Sequence, residues 1–292
     1  MAQRNLNLLF VINVRSGNRS IDWAWEINHY FSSSDHKINL YRFTKTHTIA
    51  TIKEQIKLFS PDCVVAVGGD GTIKLIAECL MGTTIRLGIL PAGSANGLAK
   101  ELGISPTPTQ ALDTLAAGYA KKIHLTTINE QICIHLSDIG LNAYAMKKFG
   151  NQRVRGWWGY LVASLKVLWQ NPLMEIRLKI ADKNLRMKAE MIVIANATKY
   201  GSGAIINPIG RLDDELFEVI VIKKISFYAI FKVTFLNGLY DLDKIDIFQT
   251  NALQMTARRK VHFQIDGEYL GKVNQIRAVI APDAVWVVVA QP

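Results

Sequence analysis

Apolar residues follow two rhythms along this chain, and the change between them divides it. In the first third, short runs that are apolar through both faces alternate with amphipathic stretches. Strands are read at Leu8–Ile12, Ile38–Phe43, Cys63–Val67 and Arg86–Leu90. Helices are read at Ser20–Phe31, with Ser20 as its cap, and at Thr48–Phe59, Thr72–Met81 and Gly97–Leu102. Strands without a polar face belong in a parallel sheet covered on two sides, and the intervening helices give βαβ units. Pro106 and Pro108 then mark a loop.

From Lys121 onward, short alternating runs dominate: Ile123–Ile128, Ile132–Leu136, Glu175–Ile180, Leu185–Asn196, Phe217–Ile222, Ala252–Thr256, Val261–Ile265, Gln275–Ile280 and Val285–Val289. Turn residues such as Asp182-Lys183-Asn184 and Asp266-Gly267 separate several of them, as in an antiparallel sandwich or barrel. Two helices, around Trp157–Trp169 and Ser226–Leu236, interrupt the series. The fold class is therefore α/β plus mainly-β: an α/β nucleotide-binding domain over residues 1–120 and an antiparallel β-sandwich domain over 121–292. A length of 292 residues, beyond the usual single core, agrees with two domains.

Composition narrows the setting. Cys63, Cys79 and Cys133 lie in apolar stretches without a CxxC pair and read as reduced core thiols. No apolar run approaches the ~20 residues of a membrane span, and the start of the chain lacks the layout of a signal peptide. A cytoplasmic protein is expected. The net charge of +10 is compatible with nucleic acid, an anionic membrane face or a polyphosphate ligand. Dispersed basic residues without a nucleic-acid motif argue against the first. No HExxH, Walker or GxGxxG pattern occurs, and Gly93-Ser94-Ala95-Asn96-Gly97 has its serine in the wrong place for a GxSxG elbow.

The chemistry gathers at Gly68-Gly69-Asp70-Gly71-Thr72, directly after the strand ending at Val67. Glycines between a strand and a helix leave N–H groups open to phosphate oxygens, with Thr72 as the helix cap. Asp70 would be out of place in a simple anion cradle and suits Mg²⁺ or a reacting hydroxyl. Two more loops fall at the same carboxyl edge of the sheet: Asn13-Val14-Arg15-Ser16-Gly17 and Pro91-Ala92-Gly93-Ser94-Ala95-Asn96. Each alone reads as a turn; together the three describe one crevice. Asp266-Gly267 reads equally as a hairpin turn, and Asp213-Asp214 as a solvated one.

These loops resemble the diacylglycerol kinase and sphingosine kinase catalytic-domain family, including bacterial members. Further landmarks lie in the family's order: Tyr200-Gly201-Ser202-Gly203, Pro208, Leu212-Asp213-Asp214 and Asp266-Gly267-Glu268. The resemblance implies an ATP-dependent lipid kinase. Asn13, Arg15, Ser16, Gly17, Thr44, Gly68, Gly69, Asp70, Gly71, Thr72, Ser94 and Asn96 would line the ATP site. Glu268 would accept the proton of the substrate hydroxyl, with Asp266 beside it, and Asp70 would organise Mg²⁺ and the phosphates. Asp214, with the carbonyls of Arg211 and Leu216, would hold a structural Mg²⁺. Lys74-Leu75, Gly97 and His124 depart from the family's pattern.

Between Ile139 and Met174 there is no acid, while Lys147, Lys148, Arg153, Arg155 and Lys166 accompany Trp157, Trp158 and Trp169. The stretch reads either as a core helix with basic flanks or as peripheral contact with an anionic membrane that holds the lipid substrate. An NAD kinase-like enzyme and a non-catalytic nucleotide- or lipid-binding protein are the alternatives.

Overall fold

Asn7–Asn13 (β1) is buried at all of its five central positions, as a strand covered on both faces must be. The computed structural model describes residues 5–14, 16, 21–44, 48–140, 143–144, 173–200, 204–224 and 244–291. Contacts divide the chain into two compact units, Met1–His124 with Pro282–Pro292, and Leu125–Ala281.

The first unit alternates strands and helices in chain order. Trp23–Tyr30 (α1) follows β1, then come Lys37–Phe43 (β2), Ile49–Phe59 (α2), Cys63–Gly68 (β3), Asp70–Leu80 (α3) and Arg86–Pro91 (β4). Gly97–Glu101 (α4), Pro108–Ala117 (α5) and Tyr119–Ile123 (β5) complete the run. The first helix is capped by Asp22, whose Oδ1 accepts from the N–H groups of Ala24 and Trp25 at 3.1 Å, and not by Ser20, which lies outside the described residues. Pro108 opens α5 where a loop was expected, since the first helical turn needs no N–H from it.

β1 to β4 pair in parallel, and the sheet order is β2-β1-β3-β4-β18-β5, where β18 is Val285–Val289. The sequence placed this last run in the sandwich. It runs parallel to β4 and antiparallel to β5 instead, so the second unit is inserted between β5 and β18. An apolar run buried at four of five positions fits either sheet by pattern; only its partners decide. β1 has β2 on one side and β3 on the other, so chain direction across the sheet reverses at β1/β3. Open α/β sheets bind ligands at the carboxyl ends of strands flanking such a point.

The second unit comprises Thr126–Ile128 (β6), Gln131–Cys133 (β7), Leu136–Gly140 (β8), Met174–Ile180 (β9), Lys183–Ala189 (β10), Met191–Ala195 (β11), Lys199–Tyr200 (β12), Ala204–Ile205 (β13), Phe217–Ile222 (β14), Ile245–Thr250 (β15), Ala252–Ile265 (β16) and Glu268–Ile280 (β17). Among the described residues, antiparallel strands run β15-β14-β11-β8-β16-β17-β6-β7, with β9 and β10 branching from β16; β12 and β13 form a separate pair. Ala252–Thr256 and Val261–Ile265, read as two runs, are one strand with a bulge between Thr256 and Val261. Ile123–Ile128 is the reverse case: it breaks at His124 and Leu125 into strands of different sheets.

β11 and β14 are buried on both faces, with Ile192, Ile194, Val219 and Val221 in one apolar cluster and Val193, Ala195, Ile220 and Ile222 in another. The helices expected at Trp157–Trp169 and Ser226–Leu236 lie outside the described residues. Among those described, no helix is long and apolar enough to cross a membrane. None of the three cysteines is in a disulfide and all are buried; burial pushes the Cys63 thiol up to about 12 and Cys79 to about 11.

Candidate active site

The carboxyl edge of the parallel sheet brings three loops into contact. Asn13, the last residue of β1, donates through Nδ2 to Thr72 Oγ1 at 2.9 Å. Thr72 is therefore inside α3, whose N-cap is Gly69, and its hydroxyl ties the helix to the first loop instead of capping it. Ser16 Oγ donates to the Ala92 carbonyl at 3.1 Å, joining the first loop to the third. The second and third loops meet backbone to backbone. A Cβ on Gly69 would lie a tight 3.1 Å from the Gly93 Cα, and one on Gly93 would fall onto the Gly69 Cα, so a side chain at Gly93 would force the two loops apart.

Asp70 completes this junction. Its Oδ2 accepts from the Gly97 N–H at 3.0 Å and its Oδ1 from the Leu98 N–H at 3.2 Å, so its carboxylate caps α4. Asn96 folds back on its own loop: Oδ1 accepts from the Gly93 N–H at 2.8 Å and Nδ2 donates to the Gly93 carbonyl at 2.9 Å. Asn96 takes a left-handed backbone at φ 52°, which its short amide side chain tolerates. The residues expected to reach a ligand thus first hold one another. Open positions remain. Gly71 is exposed, with nothing within 4 Å of where a Cβ would be, and Ser94 is exposed. Thr44 is half-buried just past β2, while Arg15 and Gly17 lie outside the described residues. Gly68 is buried, and a Cβ there would strike the Thr72 side chain.

The second unit places Asp266 and Gly267 in the two-residue turn between β16 and β17, with Ile265 paired to Glu268. Both turn residues have positive φ, 48° and 86°, as a type I′ hairpin requires. The turn is more than a reversal of direction. The Asp266 carboxylate accepts from the Ile134 and His135 N–H groups at 3.1 and 3.0 Å, and its own N–H donates to the Leu136 carbonyl at 2.9 Å. The Gly267 N–H donates to Gln264 Oε1 at 2.7 Å. Gln264 is in turn oriented from inside: its Nε2 donates to Asp138 Oδ2, and its carbonyl accepts from Ser137 Oγ at 2.6 Å. Asp138, Ser137 and Gln264 are almost wholly buried. Glu268, which follows the turn, is exposed, and its side chain makes no hydrogen bond among the described residues. Its neighbour Tyr269 meets His262 Nδ1 at 2.8 Å, and Tyr144 packs on the same imidazole.

The Asp213-Asp214 turn precedes β14. Asp214 Oδ1 accepts from the Leu216 N–H at 3.2 Å, and Asp213 pairs with Arg211 at 3.1 Å on the surface. Among the described residues no three His, Cys, Asp or Glu side chains converge as a metal cluster. One carboxylate with main-chain oxygens of its own turn is a hard-oxygen donor set, which suits Mg²⁺ and not a soft metal. Beside it, Glu218 is fully buried in β14, held by Asn207 Nδ2 and by Gln249 Nε2 at 3.0 Å. Burial pushes its carboxyl up, the two hydrogen bonds oppose this, and the Asp214 charge adds to the rise. Sequence reading missed Asp138, Gln264 and Glu218. The signal was present for two of them: an acid within the wholly buried strands Leu136–Gly140 and Phe217–Ile222 needs a partner.

Two family models match the chain: the diacylglycerol kinase catalytic domain over residues 7–128 and the YegS C-terminal NAD kinase beta sandwich-like domain over residues 137–289. A "probable lipid kinase YegS-like" protein of Chromohalobacter salexigens is 26% identical over 231 residues, covering 76% of this chain and 74% of that protein. A diacylglycerol kinase of Bacillus subtilis is 25% identical over 220 residues, 72% of each chain. Among solved structures, a diacylglycerol kinase from Bacillus anthracis superposes with a TM-score of 0.72 at 14% identity, over 98% of both chains. An NAD kinase from Archaeoglobus fulgidus, solved in complex with ATP, gives 0.52 at 11% identity over 96% of this chain and 93% of that one. At these identities the structural likeness is one of fold.

Proposed function

The chain belongs to the diacylglycerol kinase-like family, with a diacylglycerol kinase catalytic domain followed by a YegS-type carboxyl-terminal domain. From that premise we propose that it transfers the γ-phosphoryl group of ATP to a hydroxyl of a diacylglycerol, a sphingoid base or a related lipid. The observation that carries the reading is the junction of Gly69, Gly93 and Asp70, which leaves Gly71 and Ser94 uncovered beside a helix start. That is the local form of a phosphate site: close backbone approach, open N–H groups and the positive end of a helix.

Phosphoryl transfer asks for alignment and charge neutralisation more than covalent help. Asn13, Ser16, Thr44 and residues 68–72 and 92–96 would bind and orient the nucleotide. Asp70 spends one acceptor position of each oxygen on α4, and the lone pairs left over can face Mg²⁺. Mg²⁺, when bound, neutralises the phosphate oxygens. Glu268 stands exposed at the end of a turn fixed from both sides, as a proton acceptor for an incoming hydroxyl should. Asp214 and the carbonyls of Arg211 and Leu216 would hold a structural Mg²⁺. The segment Lys147–Trp169, read as a membrane contact, lies outside the described residues.

The test is transfer of labelled γ-phosphate from ATP–Mg²⁺ to a panel of lipid extracts, with NAD as the acceptor expected of the related fold. Label on a lipid is the expected result. Label on NAD, or on neither despite ATP binding, would overturn the lipid-kinase reading.

A further inference from the structure

Four strands in the sheet of the second unit have one face that the core does not use. Along β10, β9, β16 and β17, alternate residues such as Ile176, Leu178, Met255 and Ile276 enter the apolar cluster, and the residues between them are exposed. Pairing sets these outward residues in rows. One row is Asn184, Lys179, Gln254 and Arg277; the next is Arg186, Arg177, Thr256 and Gln275. Beyond them Lys188 faces Glu175, which accepts from Arg258 at 3.0 Å. Six cations thus share the face with a single carboxylate.

Stability does not account for this pattern. Arg177 and Arg186 stand directly opposite each other, and like charges so placed destabilise a strand pair. The lone acid does not balance them: its carboxyl is held below the usual range by the Arg258 hydrogen bond first, then by the charges of Arg258, Lys188 and Arg259. Neighbouring strands are ~4.8 Å apart and outward residues on one strand ~6.8 Å apart. Both spacings are within the ~8 Å Debye length, so the fields add. The partner must be a polyanion, and a flat one. The two rows contain no aromatic residue on which a base could stack. Four strands, at ~14 Å before side chains are counted, are too broad for a ~12 Å major groove.

We propose that the outward face of β10-β9-β16-β17 docks the protein on an anionic phospholipid surface, its arginines and lysines meeting headgroup phosphates. The purpose of such docking rests on the lipid-kinase reading above; its measurement does not. Binding is electrostatic, since no apolar wedge lies in the two rows, and therefore salt-sensitive.

The test is co-sedimentation with vesicles of phosphatidylcholine alone or mixed equally with phosphatidylglycerol. Wild type should bind the mixed vesicles only, and release in high salt. Arg177→Gln with Lys179→Gln and Arg186→Gln should lower partitioning by about 100-fold, roughly fivefold per cation. The charge-matched control Lys37→Gln with Lys53→Gln and Lys57→Gln on the first unit should bind like wild type. If the triple variant does not fold, Lys179→Gln with Lys188→Gln reads the same face at a loss of about 25-fold. Equal binding by the variants, equal binding to neutral vesicles, or preference for duplex DNA over anionic vesicles would overturn the proposal. Phosphorylation of a water-dispersed short-chain diacylglycerol is read in parallel. Activity there without vesicle binding removes the docking face alone, and vesicle binding without activity on any lipid removes the kinase reading alone.

Discussion

The loops around Gly69 and the hairpin at Asp266 are both held rigidly, by opposite means. At Gly69 and Gly93 the lack of side chains lets the main chains touch, and the side chains of Ser16, Asp70 and Asn96 only brace the loops around that contact. At the hairpin, side chains do the holding: Asp266 reaches across to Ile134 and His135, and buried Asp138 sets Gln264 against the Gly267 N–H. The difference follows from what each would meet. A phosphate group is gripped by N–H groups that a Cβ would cover. The proton acceptor proposed at Glu268 is a side chain, so the surrounding turn would have to be fixed for it.

The comparison breaks most visibly at Glu268. Glu268→Gln should lower kcat by on the order of 10²–10⁴ while nucleotide affinity stays unchanged, as steady-state kinetics beside ATP titration would reveal. The next effect concerns the support beneath it. Asp138→Asn or Gln264→Glu alone should cost about 10–100-fold in kcat with KM for ATP preserved, the usual range for an outer partner. Combined, they exchange donor and acceptor and keep the Gly267 contact, so turnover should recover. A double variant no better than the single ones would mean the network only stabilises the fold.

On the loop side, Gly71→Ala meets open space and removes backbone freedom from the unfolded chain. Thermal unfolding should show a gain of about 0.5–1 kcal/mol. If phosphate occupies that space, ATP affinity should fall even as stability rises. The smallest effect is a slope. Because burial raises the Glu218 carboxyl in the folded protein, the unfolded state gives up that proton first, and stability declines as pH rises above the unfolded value of about 4.3. Below that value the contribution is fully present; through the raised folded value it is lost. Urea midpoints measured across this window should fall with pH in wild type and fall less in Glu218→Gln.

The same contrast explains what could be read without coordinates. The loops were legible because each follows a strand apolar on both faces, and parallel strands deliver their carboxyl ends to one edge. That Asp70 caps α4 was not legible: Gly97 and Leu98 are 27 and 28 residues away in sequence, and only the fold brings them together. The hairpin was legible as a turn from Asp-Gly alone, while its anchors at Ile134 and His135 are 132 and 131 residues distant. Val285–Val289 was assigned to the wrong sheet because its pattern reports burial and not partners. Asp138 and Glu218 could have been found, since a carboxylate inside a buried strand is costly unless paired.

The lipid-kinase reading depends on the Gly69–Gly93 junction holding a nucleotide. Isothermal titration of ATP–Mg²⁺ into wild type and Gly93→Ala tests it directly, with circular dichroism to confirm that both fold. Saturable binding by wild type, weakened on the order of 100-fold by a methyl group that pushes the two loops apart, is the predicted result. Equal affinity in the variant, or no binding by wild type, would contradict it.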